Sequence, residues 1–224
     1  MQLRDMPKLE SPFEREDKKG IGYVCIPKFK REFNWILDKD KVLMTEKFDG
    51  TNVSVYTEDN HVKKILNRKN NINIWKQKDW FYKGVKNAIE KKHFKIDLMV
   101  DGQYFGELIG PKINGNPYNL DEPIWLPFEY LRRRYTFKFY YDWLDENFPS
   151  KVDQTDEYIY IKLSDLIKTL KSLWFRQQKK EQIPEGVVFY NKETGKMCKL
   201  RADMFEWFKG KKHKWQEYQD KKED

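Results

Sequence analysis

Apolar and β-branched residues fall along this chain in short runs bounded by turn-forming residues, which is the spacing of strands. Residues 21–26, 42–48, 52–57 and 61–68 are such runs. Between the last three stand only Asp49-Gly50-Thr51 and Glu58-Asp59-Asn60, so a strand–turn–strand–turn–strand meander is predicted. Residues 103–109 form another strand, stopped by the breaker run 110–117, and 186–190 with 196–201 read as a hairpin. Helical periodicity is rarer. Residues 75–92 predict a basic helix with Trp80, Val85 and Ile89 toward the core, and a shorter helix is expected near 139–147. The clearest helix follows Ser164 as N-cap, with Leu163, Leu166, Ile167, Leu170, Leu173 and Trp174 on one face. Residues 1–18 read as an extended lead-in, and 202–224 as a helical tail packed by Phe205, Trp207 and Phe208. The fold class is α+β with antiparallel sheet dominant, in a single domain spanning 1–224.

Composition narrows the picture. The 224 residues carry 44 Lys and Arg against 36 Asp and Glu, for a net charge of +8. At 36% charged and 39% apolar the chain leans toward a solvated polymer, but 8 Trp, 13 Tyr and 15 Phe are enough to fill a core. No run approaches the ~18 apolar residues of a membrane span, and the first twenty residues lack the apolar centre of a signal peptide. With only Cys25 and Cys198, a disulfide framework is not expected and a cytoplasmic location is. His61, His93 and His213 are too scattered for a zinc site.

Charge is concentrated. Residues 61–93 hold ten Lys and Arg, including Lys63, Lys64, Lys69, Lys76, Lys78, Lys83 and Lys86, against Asp79 and Glu90. Trp75, Trp80, Phe81 and Tyr82 interleave with them. Cations bind phosphates without reading sequence and aromatic rings stack on splayed bases, so the segment fits a nucleic-acid surface. Arg132, Arg133 and Arg134 extend it. A solvated helix face would explain the aromatics but not the charge asymmetry.

Three segments join reactive side chains to glycines at strand ends. In Thr45-Glu46-Lys47-Phe48-Asp49-Gly50-Thr51-Asn52, alternation along a strand puts Lys47 and Asp49 on one face beside a tight turn. An amine that is partly desolvated among other cations becomes a nucleophile; a surface ion pair beside a turn is the alternative. In Phe105-Gly106-Glu107-Leu108-Ile109-Gly110, small residues can keep a pocket open before a carboxylate. In Pro184-Glu185-Gly186-Val187-Val188, a carboxylate precedes a strand, and Lys199-Leu200-Arg201 follows with two cations on one face, suited to a phosphate.

Taken in order, these segments resemble the covalent nucleotidyltransferase superfamily, which holds ATP-dependent RNA ligases, DNA ligases and mRNA capping enzymes. The wording is most similar to phage-type RNA ligases and the broader RNA ligase domain family, over about residues 40–205. The resemblance implies an antiparallel-sheet adenylation domain of the ATP-grasp-like ligase type. It implies Lys47 as the nucleophile that takes AMP from ATP, with Mg²⁺ or Mn²⁺ as cofactor. Glu46 would lie with its backbone near the adenine, Asn52 beside the phosphate and RNA end, and Arg68 at ribose or phosphates. Glu107 would bind the ribose hydroxyls and Phe128 stack on the base, while Glu185, assisted by Asp49, would hold the metal. Lys199 and Arg201 would hold the α-phosphate, although the family usually has lysine where Arg201 stands. No room is left for an OB-fold domain after Arg201, so a stand-alone adenylyltransferase is expected, with a helper protein able to supply the missing nucleic-acid contacts. The substrates would be RNA or DNA ends bearing a 5′-phosphate and a 3′-OH. A minimal DNA ligase, a capping-type guanylyltransferase and a nucleic-acid-binding module with a degenerate site are the competing readings.

Overall fold

A computed structural model describes residues 3–19, 22–75, 79–98, 100–149 and 154–208. In chain order the strands are β1 (Phe13–Lys18), β2 (Gly22–Phe29), β3 (Val42–Lys47), β4 (Thr51–Glu58), β5 (His61–Asn67), β6 (Asn70–Ile72), β7 (Gly102–Ile109), β8 (Ile124–Pro127), β9 (Gly186–Asn191) and β10 (Met197–Arg201). The α-helices are α1 (Trp80–Glu90), α2 (Phe128–Arg134), α3 (Tyr140–Asn147), α4 (Asp156–Thr169) and α5 (Leu173–Gln177). Every strand pairing is antiparallel. The expected class is what the chain adopts: mixed helix and sheet, with antiparallel sheet throughout.

The described residues of 1–8 with 48–134 form one compact unit, and those of 9–47 with 135–224 form a second. The first is built on a five-stranded sheet in the order β6-β5-β4-β7-β8. Helix α1 packs on β7 and β8 because Gly84 presents no side chain to Leu108; a Cβ there would stand 2.2 Å from Leu108 Cδ1. Val53, Val55, Ile65, Val85, Ala88, Leu108 and Trp125 fill its interior, each apolar side chain removed from water contributing about 1.5–3 kcal/mol. The second unit holds the hairpin β1–β2, a three-stranded sheet in the order β10-β9-β3, and helices α3, α4 and α5. Helix α4 lies on β2, with Ile159, Leu163, Leu166 and Ile167 buried.

Five expectations need correction. The meander does not include 42–47: β4 pairs with β5 as expected, but β3 pairs with β9, so the segment at Asp49-Gly50 carries the chain from one sheet to another. Ser164 is no cap. Thr155 caps α4 by accepting from the Tyr158 amide at 3.2 Å, and buried Ser164 accepts from Trp207 Nε1 at 2.9 Å in mid-helix. The long apolar face is split at Leu170, where the backbone turns extended and Ser172 caps the separate helix α5. Residues 13–18 form a strand, hidden from periodicity because five of the six are charged. After β10 the described tail is a 3₁₀ turn, Ala202–Met204, followed by irregular chain to Phe208; the remainder of the expected helix lies outside the described residues.

Candidate active site

The register of the three-stranded sheet decides which side chains meet. Lys47 on β3 lies opposite Gly186 on β9, and Gly186 lies opposite Arg201 on β10. Two residues along, Thr45, Val188 and Lys199 form the next row. Because side chains alternate, Lys47, Arg201 and Lys199 share one face. The other face carries Val187, Phe189, Cys198 and Leu200, all fully buried. The sheet thus collects three cations on one side by pairing alone.

Glu185, immediately before β9, meets them. Its Oε2 lies 2.6 Å from Lys47 Nζ, with the two side chains 8% and 19% exposed. Its Oε1 lies 3.6 Å from Arg201 Nη1. Lys47 is therefore no solvated surface pair, and Glu185 is not an open carboxylate: it sits between two cations. Arg201 also touches Asp203 through Nε at 2.9 Å, both side chains largely buried. Asp203 is a charged residue of this cluster that the motifs did not point to; the spacing Arg201-x-Asp203 was the available signal.

Glu46 points to the opposite face of β3 from Lys47. Its carboxylate accepts from Ser172 Oγ and from the amides of Leu173 at 2.7 Å and Trp174 at 3.1 Å, so it occupies the N-terminus of α5. Its backbone N–H donates to the Tyr135 carbonyl at 2.9 Å. Burial pushes the Glu46 carboxyl up to about 7, against the opposing pull of Ser172 and the two amides. The folded state thus binds a proton that the unfolded chain has released. Stability from this group is present below pH 4.5 and is lost as the pH rises through 7. Glu46→Gln keeps the acceptor for both amides and removes the titration. Urea denaturation between pH 4.5 and 8 is expected to show a falling stability for wild type, by about 3 kcal/mol, and a flatter profile for the variant. Equal slopes would remove Glu46 as the cause.

The remaining predicted residues belong to the five-stranded unit. Asp49 does not continue β3. It is buried, its amide donating to Tyr118 Oη at 2.7 Å and its Oδ1 accepting from Asn114 Nδ2 at 2.7 Å. Asn114 also donates to the Gly50 carbonyl, so the loop 110–119 clamps the turn. Asn52 and Glu107 lie opposite each other across β4 and β7. The Asn52 amide donates to Met6 Sδ at 3.2 Å and toward the Gly106 carbonyl at 3.5 Å. The glycine beside Glu107 serves packing rather than an open pocket: a Cβ on Gly106 would lie 2.6 Å from Trp125 Nε1. Arg68 is exposed at the β5–β6 turn with φ 54°, and Phe128 is half-buried at the start of α2. Lys63, Lys64 and Lys69 are exposed, Lys83 lies over the Trp80 ring at 5.7 Å, and Lys86 stands 3.6 Å from Glu90. Lys76 and Lys78 lie outside the described residues.

The RNA ligase family model matches residues 40–211, which includes every motif above, and the chain belongs to that family. Among solved structures, an apo mutant of Naegleria gruberi RNA ligase is 17% identical with a TM-score of 0.50 over 90% of this chain and 58% of that one. Another mutant of the same ligase, with AMP and Mn, gives the same identity, TM-score and coverages. The chain thus spans under two thirds of the length of these structural relatives. The comparison with curated proteins finds no match.

Proposed function

We propose that this chain is an ATP-dependent polynucleotide ligase, preferring RNA, built on a nucleotidyltransferase domain and acting through a lysyl–AMP intermediate. The single observation that carries the reading is the Lys47–Glu185–Arg201 cluster: a partly buried amine 2.6 Å from a carboxylate, with a guanidinium at the other oxygen of that carboxylate. The amine must lose a proton before it attacks, and Glu185 Oε2 is within reach to take it. Nζ then attacks the α-phosphorus of ATP, the bond to the β-phosphate breaks, and pyrophosphate leaves. Arg201 and Lys199, on the same sheet face, supply positive charge where it builds on the phosphoryl oxygens. The AMP passes from Lys47 to the 5′-phosphate of a strand, and a 3′-OH displaces it to close the phosphodiester.

The family resemblance implies Mg²⁺ or Mn²⁺, and the Naegleria relative is solved with AMP and Mn. Among the described residues no three His, Cys, Asp or Glu stand together as a metal cage. Mg²⁺ and Mn²⁺ take oxygen ligands and keep water, and the resemblance implies Glu185 as the carboxylate that would hold such an ion, with Asp49 assisting. When bound, that ion neutralises phosphate charge. The resemblance assigns nucleotide contacts also to Glu46, Asn52, Arg68, Glu107 and Phe128. Exposed Lys63, Lys64 and Lys69, with Lys83 and Lys86 on α1, support a surface for the strand's phosphates. Cys25 and Cys198 are both free and buried, in keeping with a reducing cytoplasm.

Incubation with α-³²P-labelled ATP and Mg²⁺, then denaturing electrophoresis, tests the reading. Label from ATP but not GTP is expected on the protein, and addition of a 5′-phosphorylated nicked RNA duplex is expected to discharge it with sealing. Absence of label from either nucleotide would overturn the reading, and label from GTP alone would move it to a capping-type transferase.

A further inference from the structure

Arg201 stands where the family usually has lysine, and its surroundings give that substitution a use. The guanidinium lies between two carboxylates: Nη1 is 3.6 Å from Glu185 Oε1, and Nε is 2.9 Å from Asp203 Oδ1. A lysine has a single nitrogen and could not meet both from one position, whereas a planar fork can. Charges then alternate along a line of four, Asp203, Arg201, Glu185 and Lys47, within one compact unit. The side chains of Arg201 and Asp203 are 12% and 9% exposed, so little water screens the contact. Asp203 reaches it because the chain turns into the 3₁₀ segment Ala202–Met204 directly after β10, with the Ala202 amide donating to the Glu185 carbonyl at 3.0 Å.

The contact between Arg201 and Asp203 rests on charge and not on alignment. Nε and Oδ1 are both buried, and neither forms a hydrogen bond of good geometry. Buried polar atoms in that state cost free energy, so their presence points to a role outside packing. Here the second carboxylate does something that packing does not. Without it, Glu185 would be left as the anion facing Arg201 in this line of charges, and Arg201 would compete with Lys47 for that group.

We propose that Asp203 is a positioning residue for adenylyl transfer: it anchors Nε of Arg201, so that the Nη side of the guanidinium stays available to the transferring phosphoryl group and Glu185 stays with Lys47. This rests on the adenylyl-transfer reading. It predicts a dependence between two residues, which a merely structural aspartate would not show.

The test is a double-mutant cycle on the single-turnover rate of protein labelling from α-³²P-ATP, with ATP dependence measured for each variant. Asp203→Asn is expected to slow labelling about 10- to 100-fold, chiefly in the limiting rate and less in the ATP concentration at half-maximum. Arg201→Lys removes Nε, and in that background Asp203→Asn is expected to change the rate less than about twofold. Asp203→Glu, which keeps the charge, is expected to stay within about threefold of wild type and serves if the asparagine variant melts early. Two outcomes overturn the proposal: no slowing in Asp203→Asn, or the same slowing whether residue 201 is Arg or Lys. In both, wild type still labels and only the positioning role falls. If wild type takes no label from ATP, the adenylyl-transfer reading fails first and this role fails with it.

Discussion

Lys47→Ala is expected to carry no adenylate above background, at least about a thousandfold below wild type, because the proposed mechanism takes its bond-forming nitrogen from Lys47. The obvious objection is that the variant could lose label by losing its fold. Removing the ammonium leaves Glu185, 8% exposed, with the Arg201 guanidinium still 3.6 Å away as a counter-charge. A buried carboxylate that loses one cation while another stays beside it is expected to cost about 1–3 kcal/mol, less than a carboxylate left with none. A melting curve would register that loss without a collapse.

Lys47→Arg separates chemistry from folding more cleanly. A guanidinium keeps the positive charge against Glu185 Oε2, but it holds its proton at any working pH and offers no lone pair for attack. Stability near that of wild type together with absent label is the expected pair of results, read by urea denaturation and by gel labelling of the same preparation. Label retained by the arginine variant would show that the adenylate forms elsewhere, and the whole cluster would lose its assignment.

How far this could be read from the sequence depends on whether the information was local. Strand existence was, since β-branched runs and turn residues signal themselves: β4, β5, β7, β9 and β10 lie within a residue or two of their expected bounds. Pairing was not. Nothing near Asp49-Gly50 shows that β3 turns away to join β9, about 140 residues on, because that choice is made by Val187 and Phe189 burying against the same core as Val42 and Met44. Lys47, Glu185 and Arg201 stand in separate motifs of the sequence, and only the register brings them into one cluster. Glu46 shows the opposite limit. Its neighbour's chemistry drew attention to the backbone, while its side chain turns to the far face and holds α5, a role that depends on Ser172, 126 positions away. Asp203 carries only a weak signal, its spacing from Arg201, for a similar reason: an aspartate after a strand is ordinary until the turn folds it onto Arg201.

Gly186→Ala is expected to damage stability and chemistry together, and space rather than backbone conformation is the cause. Gly186 is the middle member of the row Lys47–Gly186–Arg201. A Cβ there would stand 2.1 Å from the Leu200 carbonyl oxygen and 2.6 Å from Arg201 Cα. Both are main-chain atoms of β10, so no side chain can swing aside and the strand itself must move. The expected cost is about 3 kcal/mol or more, the upper end for forcing a group into a packed interior. Displacing β10 carries Arg201 and Lys199 with it, and a shift of about 1 Å in a positioned cation is expected to slow labelling about a hundredfold. Gly195→Ala is the control from the β9–β10 connection. Gly195 has φ +70° but only Tyr190 Oη near the missing Cβ, at 3.7 Å. It is expected to lose about 1 kcal/mol to left-handed backbone strain while labelling at the wild-type rate. If Gly186→Ala behaved like that control, the close approach of β9 and β10 at the cluster would be wrong, and with it the idea that strand register alone gathers the cations around Glu185.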